Sequence, residues 1–288
     1  MTVDSWYAKG STTTIEGLEV FFRRAGSGEA LLCIHGFPTS SWDYEPMWPA
    51  LTARFDVVAS DLIGLGRSAK PRGRALPVGL QATVLEGLLL EQDIERAHIL
   101  AHDLGDTVAQ ELLARQKAGT AKVQWQSCVF LNGGLFPETH RPRFIQRLLA
   151  SPLGPVVAGL SSERLFRRNL AQVFSDEFPP SEAFLRGSWD LLVGKGGRQM
   201  LPPLIRYMEE RRVHRQRWVG PLQESSIPLR FINGALDPVS GRHAAQRYRD
   251  VVPEPDVVML DRAGHYPHVE QTEEVTEAFL AFHDERVG

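Results

Sequence analysis

The sequence predicts an α/β fold, in which a mostly parallel sheet is flanked by helices and interrupted by an all-helical insertion. Short apolar runs alternate with stretches of helical spacing up to about residue 134. From about 135 to 220 this strand pattern stops, and helical stretches are separated by Pro and Gly clusters. The alternation resumes near residue 227. We therefore expect a core formed by residues 1–134 and 221–288 and a helical cap formed by residues 135–220.

Composition narrows the class of protein. The 288 residues can bury a large core, and contents of 43% hydrophobic and 23% charged residues are typical of a soluble globular chain. A net charge of −3 gives no reason to expect a nucleic-acid partner. No apolar run is long enough to span a membrane, and residues 1–5 lack the basic and apolar regions of a signal peptide. A cytoplasmic protein without a membrane span is the expectation.

The cysteines and the charge distribution point to ordinary roles. Cys33 and Cys128 both lie in apolar, strand-like runs, so we expect buried free thiols. No Cys/His cluster has zinc spacing, and we expect neither a metal nor a cofactor. In the cap, basic residues outnumber acidic ones. We interpret this surplus as a solvated face rather than a docking patch.

Each predicted element rests on its own pattern. Strands are predicted from their apolar runs at Leu18–Arg24, Ala30–Ile34, Asp56–Ser60, Ala97–Leu100, Val123–Leu131, Ile227–Ile232 and Asp256–Leu260. Helices are predicted from their spacing at Trp42–Ala53, Val78–Glu91, Leu104–Leu113 and Arg242–Arg249, and around a final apolar stripe that contains Val275, Ala278, Phe279 and Phe282.

Two glycine-containing turns follow strands in the first half of the chain. Ala30–Ile34 runs directly into His35-Gly36-Phe37-Pro38, and open α/β sheets place their chemistry in such turns. These residues also suit a purely structural turn. The second turn, Gly64-x-Gly66-x-x-Ala69, superficially fits a dinucleotide fingerprint. We reject that interpretation because Lys70-Pro71-Arg72-Gly73 follows where the phosphate-binding helix should begin.

The stretch Ala101-His102-Asp103-Leu104-Gly105-Asp106 connects a strand to a helix and has the pattern of a nucleophile elbow. Small residues two before and two after the tip let the strand and helix backbones approach closely. The tip is normally Ser, but here it is Asp103. An Asp that simply caps an ordinary helix is the alternative.

An aspartate at the tip changes the chemistry that the site can perform. A carboxylate is ionised at neutral pH, and a helix N-terminus favours its charge further. It attacks esters and amides poorly, because the anhydride that it would form collapses back. It can displace a leaving group from saturated carbon and form an alkyl ester on the enzyme. Water must then cleave that ester, so the site needs a general base.

The base and its partner are predicted from chain order. Asp103, Asp237 and His265 follow the order nucleophile, acid, histidine, and each comes after a predicted strand. A parallel sheet gathers such loops at one edge. His265 would deprotonate water, and Asp237 would orient its imidazole. His268 is the rival base, and Asp250 and Asp261 are rival acids.

Backbone N–H groups complete the predicted site. In a hydrolase elbow fold, the residue after the upstream His-Gly and the residue after the nucleophile supply the N–H groups of the oxyanion hole. These positions are Phe37 and Leu104.

Several motifs resemble known families. His35-Gly-Phe-Pro38, Asp61-x-x-Gly-x-Gly-x-Ser68, His102-Asp-Leu-Gly105 and Gly264-His265 resemble the epoxide hydrolase and haloalkane dehalogenase branch of the α/β-hydrolase superfamily. Stretches that resemble the mesoderm-specific transcript protein family are His102–Leu113, Asn132–Pro142, Arg217–Gly220 and Leu236–Val239. The resemblance covers essentially the whole chain. It implies an α/β-hydrolase fold with an eight-stranded, mostly parallel sheet and an inserted helical cap.

The leaving group decides between the two activities of this branch. A halide needs only N–H donors, and dehalogenases usually place a Trp after the nucleophile and often an Asn after the upstream His-Gly. Here Leu104 and Phe37 occupy these positions, and neither side chain can donate. An epoxide leaves as an alkoxide and needs a proton donor, which epoxide hydrolases supply from cap tyrosines.

The resemblance assigns the donor role to Tyr207, the only tyrosine of the predicted cap. The alternative is core packing, because Leu204, Tyr207 and Met208 share a helical face. The branch normally has two such tyrosines, and Trp189 or another cap donor is the candidate substitute for the second.

We therefore expect an epoxide hydrolase that acts on a small apolar epoxide and water, as a monomer or homodimer. Haloalkane dehalogenation by the same nucleophile is the enzymatic alternative, and a catalytically silent ligand-binding protein is the other. Besides Phe37 and Leu104, the residues expected to contact the substrate are His35, Trp42, Phe136, Trp189 and Val239.

Overall fold

The structure, a computed structural model, describes residues 2–287 and contains one eight-stranded sheet in the order β1-β2-β4-β3-β5-β6-β7-β8. Its strands are β1 Ser11–Ile15, β2 Leu18–Ala25, β3 Glu29–Ile34, β4 Phe55–Ser60, β5 Arg96–His102, β6 Gln124–Leu131, β7 Leu229–Gly234 and β8 Val257–Leu260. The pairs β1–β2 and β2–β4 are antiparallel, and the remaining pairs are parallel. The predicted eight-stranded, mostly parallel sheet is thereby confirmed.

Sequence patterns located seven of these strands, and β1 is the exception. It is a run of polar residues that is mostly exposed or half-buried at the edge of the sheet. It pairs with β2 over its whole length, from Ser11 opposite Phe22 to Ile15 opposite Leu18. Backbone pairing holds this strand, so it lacks the apolar alternation that marks a strand in a sequence.

Helices cover both faces of the sheet and fill the insertion. They are α1 Val3–Tyr7, α2 Trp48–Thr52, α3 Val78–Glu91, α4 Leu104–Lys117, α5 Phe144–Ala150, α6 Gly154–Leu160, α7 Glu163–Ala171, α8 Glu182–Val193, α9 Leu201–Leu204, α10 Tyr207–Val213, α11 Arg215–Gln223, α12 Arg242–Val251, α13 Pro267–Glu270 and α14 Thr272–Phe282. Short 3-10 turns lie at Ser41–Tyr44 and Gly194–Met200, and a π-helical turn lies at His283–Val287.

One predicted helix is interrupted. The stretch from Trp42 to Ala53 forms the 3-10 turn Ser41–Tyr44 and then the short helix α2, instead of one continuous helix. Pro46 lies between the two pieces, and a proline inside a helix removes a hydrogen bond and clashes with the preceding turn. The prediction of a single helix was therefore wrong.

The described chain between β6 and β7 is helical, as the sequence pattern predicted. Its last helix, α11, continues to Gln223, past the boundary expected at residue 220. This helix packs against α4 of the core, where Glu111 accepts hydrogen bonds from the side chains of Arg217 and Trp218. By its contacts, the end of the insertion is joined to the core, and we propose that the cap proper ends before α11.

The core lies as two apolar layers, one on each face of the sheet. Cys33 and Cys128 are buried free thiols on the central strands, in agreement with the sequence prediction. Within residues 2–287, no helix combines the length and apolar character needed to cross a bilayer.

The close approach of β3 to the start of α4 sets the shape of the elbow. An added Cβ at Gly105 would lie 2.2 Å from the carbonyl oxygen of Ile34, and one at Gly36 would lie 2.8 Å from the Cβ of Asp103. Real Cβ atoms do not approach so closely, so the strand and helix must separate if either glycine gains a side chain. The small residues of the elbow are thus a packing requirement.

We predict that Gly105→Ala lowers the free energy of unfolding by about 1–3 kcal/mol, because the new methyl group meets backbone that cannot move aside. Gly159→Ala is the matched control, since Gly159 is also helical but nothing lies within 4 Å of its added Cβ. The control should be neutral or slightly stabilising, because Ala favours helix more than Gly. Urea unfolding of both variants measures the difference, and equal midpoints would contradict the packing argument.

Candidate active site

Asp103 lies at the tip of the turn between β5 and α4, with backbone angles φ 48° and ψ −103°. A positive φ is uncommon for residues other than glycine and stores strain. The side chain is almost completely buried, and its Oδ2 accepts a hydrogen bond of 3.0 Å from the N–H of Phe37. Asp103 makes no side-chain hydrogen bond to the first turn of α4. The helix-cap interpretation therefore does not hold, because the carboxylate points toward the turn after β3.

His265 and Asp237 meet at the carboxyl edge of the sheet, as their positions after strands predicted. The Nδ1 of His265 lies 2.8 Å from the Oδ2 of Asp237. Asp237 also accepts hydrogen bonds from the N–H of Val239 at 2.7 Å and from the Nδ2 of Asn132 at 3.0 Å, and the hydroxyl of Ser240 lies 2.7 Å away. The carboxylate is thus held by four donors, which fixes the orientation of the imidazole.

Charges set the protonation states of this pair. Burial raises the pKa of Asp237, but the charge and hydrogen bond of His265 lower it more, to about 2. Burial lowers the pKa of His265, but Asp237 and the charge of Asp103 raise it more, to about 9. At neutral pH the structure therefore holds an ionised Asp237 beside a protonated imidazole, and Asp103 is close enough to contribute to that state.

The rival base and acids lie elsewhere. His268 is buried behind the elbow, stacked on Tyr44 at a ring distance of 5.2 Å, and it does not contact Asp237. Asp261 is exposed and pairs with Arg242, while Asp250 accepts a hydrogen bond from Gln246. Among the described residues, Asp237 is the carboxylate that His265 contacts through its ring.

Tyr207, at the start of α10, faces Asp103 from the insertion. Its ring lies 6.2 Å from the ring of Phe37, and its buried hydroxyl makes no hydrogen bond of normal geometry to a described residue. Burial and the charge of Asp103 raise the pKa of this hydroxyl, while the charge of Arg211 opposes them. The group therefore stays protonated and can donate to an incoming ligand. The hydrogen bond to Asp103 also raises this pKa, and core packing alone does not account for a buried hydroxyl that faces a carboxylate.

Arg211 is a site residue that the sequence reasoning missed. Its guanidinium is buried, donates to the backbone oxygen of Asp103 at 3.0 Å and to the hydroxyl of Thr107 at 2.7 Å, and lies 3.9 Å from the Asp103 carboxylate. It also stacks over the Tyr207 ring at 4.5 Å. Arg211 is four residues after Tyr207, so both lie on one helix face. This spacing was the sequence feature that could have identified Arg211 as a site residue.

Asn132 was also missed. It follows β6, has a φ of 41°, and its side chain joins the backbone of Gly234 to Asp237. An amide after a buried strand at the same sheet edge was the signal that could have identified it.

A cavity of about 110 Å³ lies against Phe37 and His265, between the turn after β3 and helices α5 and α7, and Asp103 and Tyr207 are not among its lining residues. Its lining is mostly apolar and includes Phe37, Val239 and His265. An apolar cavity of about 150 Å³ holds a molecule the size of benzene, so this one suits a small ligand.

Other residues predicted to contact the substrate lie outside this cavity. Both ring nitrogens of His35 are used in turns, since Nδ1 bonds to the Gly36 oxygen and Nε2 accepts from Leu62 N–H. Trp42 stacks on Phe184 beside a separate groove, Phe136 packs near Tyr248, and Leu104 lies in the core. Trp189 packs behind the cavity-lining Phe166. Apart from Trp189, which is half-buried, these side chains are buried, and hydrophobicity alone did not show which neighbours bury them.

One cluster among the described residues could hold a metal ion. Ligand atoms of Asp43, His102 and His268 lie within 4.8 Å of one another. Burial raises the pKa of Asp43 and lowers the pKa values of both histidines, so the three groups tend to be neutral. None of the three lines the cavity.

Comparisons with known proteins agree with this geometry. A family model described as "Alpha/beta hydrolase family" matches residues 31–278. The chain is 37% identical to the mesoderm-specific transcript protein of Mus musculus, over 96% of this chain and 87% of that protein.

Two solved structures show the same fold. The structure of the epoxide hydrolase CorEH has a TM-score of 0.79 at 18% identity and covers 96% of this chain and 98% of that one. That of the haloalkane dehalogenase DbeA from Bradyrhizobium elkani has a TM-score of 0.81 at 20% identity and covers 95% and 96%. With a matching family model, a relative over nearly the whole length and the fold in common, the chain belongs to the alpha/beta hydrolase family.

Proposed function

We propose that this protein is an epoxide hydrolase that works through a covalent ester on Asp103. The observation that carries the proposal is the carboxylate at the elbow tip, set between a protonated tyrosine and a His265–Asp237 pair. A carboxylate in place of serine suits attack on saturated carbon, and the tyrosine suits a leaving group that needs a proton.

The hydrogen bond from Phe37 distinguishes the two oxygens of the nucleophile. Because Oδ2 is engaged by the Phe37 N–H, Oδ1 is the oxygen that attacks the epoxide carbon. The carbon–oxygen bond of the epoxide breaks, and the alkoxide takes its proton from the Tyr207 hydroxyl. In the resulting ester Oδ2 is the carbonyl oxygen, and the Phe37 N–H is placed to stabilise the oxyanion of the second step. We assign the N–H of Leu104 as the second donor of that oxyanion hole.

Ester formation prepares His265 for its role as a base. In the resting protein the charge of Asp103 helps to raise the pKa of His265 to about 9, so the imidazole is protonated at neutral pH. Esterification removes that charge, and the pKa falls. The imidazolium then gives up its proton, which restores the Tyr207 phenolate to a hydroxyl. The neutral imidazole takes a proton from water, whose oxygen attacks the ester carbon, and the tetrahedral intermediate expels the alkoxide. The alkoxide takes the remaining proton of that water and leaves as the diol, with His265 again protonated. Asp103 is regenerated with one oxygen derived from water.

The alternatives fit the site less well. Halide release would need N–H donors where Phe37 and Leu104 present hydrocarbon side chains. A silent binding protein has no need of a buried, ionised Asp237 held by several donors against a histidine. A small apolar epoxide is consistent with the cavity beside His265.

The charge coupling gives a prediction that is independent of substrate. In the Asp103→Asn variant the pKa of His265 should fall clearly below about 9, because a neutral amide replaces the charge that favours the imidazolium. Titration of the imidazole signals by NMR measures this change, with assignment from a His265→Gln variant. An unchanged pKa would show that Asp103 and His265 are not coupled.

Product analysis tests the reaction itself. The protein is incubated separately with propylene oxide and with a primary bromoalkane of similar size, both small enough for the cavity, and diol and bromide are measured. We expect diol without bromide, and we expect Tyr207→Phe to lower diol formation by about 10²-fold or more, since it removes the proton donor. Tyr248→Phe is the matched control, because the Tyr248 hydroxyl is also buried but lies on α12 against Phe136 and Phe231 and not beside Asp103. Bromide without diol would indicate dehalogenation. If neither diol nor bromide formed, the result would favour the binding-protein alternative.

The covalent step has its own test. His265→Gln keeps the nucleophile but removes the base, so the ester should accumulate. Mass spectrometry should then find the mass of one substrate molecule added to the peptide that contains Asp103. The same search on Asp103→Asn provides the blank. Substrate consumption by His265→Gln without that adduct would rule out the ester mechanism.

A further inference from the structure

Apolar side chains are concentrated on one outer surface of the insertion. Eight large apolar residues are exposed within residues 2–287, and five of them lie between residues 144 and 165. We name these five the cap patch: Phe144, Leu153, Val156, Leu160 and Leu165. Phe144 and Leu160 are 78% and 77% exposed, which is the highest among the eight. Exposed apolar surface of this kind marks a place where something binds.

Helix α6 is the centre of the cap patch. The stretch Pro152–Leu160 contains no polar side chain. Leu153, Val156 and Leu160 are spaced three and four apart, so they share one face, and all three are exposed. Gly154 and Ala158 lie on the opposite face and are buried. The helix therefore presents its larger apolar side chains to the outside and packs inward through small ones, which reverses the usual arrangement of a surface helix.

Arginines surround the cap patch. Residues 141–172 contain six arginines and one acidic residue, although the whole chain has a net charge of −3. Arg141, Arg147, Arg164 and Arg168 are exposed. The acidic residue, Glu163, already pairs with Arg167. The basic charge of the cap by itself predicts a solvated face. Because exposed apolar side chains lie between the arginines, we interpret this surface as a binding surface instead.

The cap patch also adjoins the cavity. A surface groove lined by Phe144, Leu160 and Leu165 shares part of its lining with the cavity beside His265. The residues common to both are Arg143, Ile145, Leu165 and Asn169. A molecule that leaves an apolar phase at the cap patch is therefore one side-chain layer away from the cavity.

From these observations we propose that the cap patch docks on the surface of an anionic lipid membrane, with α6 inserted among the acyl chains and the arginines on the headgroups. Anionic lipid attracts basic residues, and buried apolar side chains add to that attraction. A second copy of this chain fits less well, because a two-fold contact would bring the arginines of one patch against those of the other. The surface thus gives an apolar ligand a direct route from the bilayer to the cavity.

Vesicle binding by the full-length protein tests this proposal without any measurement of activity. Wild type should sediment with vesicles of phosphatidylcholine mixed with phosphatidylserine, bind less to phosphatidylcholine alone, and dissociate as salt is raised. The Phe144→Asp/Leu160→Asp double variant should lose about tenfold or more in affinity. Val213→Asp is the matched control, because Val213 is 69% exposed on α10 outside the patch, and it should bind like wild type.

The arginine contribution has a separate test. Arg164→Gln/Arg168→Gln should weaken binding to the anionic vesicles and reduce its salt dependence, while Arg249→Gln, an exposed arginine on α12, should do neither. Insertion is measured with a polarity-sensitive fluorophore on Leu160→Cys, which should shift to the blue on binding. The same label on Val213→Cys should not shift. Cys33 and Cys128 are buried and stay unlabelled.

Three outcomes would overturn the proposal. The first is that wild type fails to sediment with anionic vesicles. The second is that Val213→Asp loses as much binding as the double variant. The third is that wild type is a dimer which the double variant breaks, without vesicle binding by either, since this would make the cap patch a protein interface. Thermal unfolding of each variant shows that the changes are local.

Discussion

The backbone of Asp103 is the constraint on which the site depends. A residue with a side chain is held at a positive φ, which costs free energy of order 1–3 kcal/mol unless its surroundings compensate. Three contacts hold it: the Phe37 N–H on its carboxylate, the Arg211 guanidinium on its carbonyl, and the Leu131 oxygen on its own N–H. Each comes from a different part of the chain. The conformation of Asp103 thus depends on the assembled core and insertion together.

The charged groups around Asp103 influence one another's protonation states. Arg211 offsets the negative charge of Asp103 from one side, and His265 does so from the cavity side. Asp237, buried and multiply hydrogen-bonded, is ionised at neutral pH because His265 lowers its pKa, and it anchors His265. Any reaction that neutralises Asp103 therefore changes the protonation of its neighbours. Local chemistry at one carboxylate sets the state of the whole site.

Much of the fold could be predicted because its signals are local. Helix α3 matches its predicted bounds at Val78 and Glu91, since helical spacing appears within a few turns. Strand β1 could not be predicted, because its stability comes from a partner strand and not from its own side chains. The helix expected from Trp42 failed at Pro46, a local signal that was present in the sequence.

The positions of Asp103, Asp237 and His265 after predicted strands allowed us to predict that they meet at one edge of the sheet, because the carboxyl ends of parallel strands lie there. Lining residues such as Trp42 and Phe136 were placed less well. Hydrophobicity shows that a side chain is buried and does not show which neighbours bury it. Arg211 escaped notice for the converse reason, since a charged residue on a helix is normally solvated.

The contacts of α10 and α11 with α4 restrict how the insertion can move relative to the core. Glu111 on α4 binds Arg217 and Trp218 of α11, while Arg211 of α10 is fastened to Thr107 and Asp103 at the opposite end of α4. The last two helices of the insertion, α10 and α11, are thus held to α4 and to the turn that carries Asp103. A movement of the insertion that kept these contacts would leave α10 and α11 in place and displace the helices α5 to α7, of which α5 and α7 line the cavity.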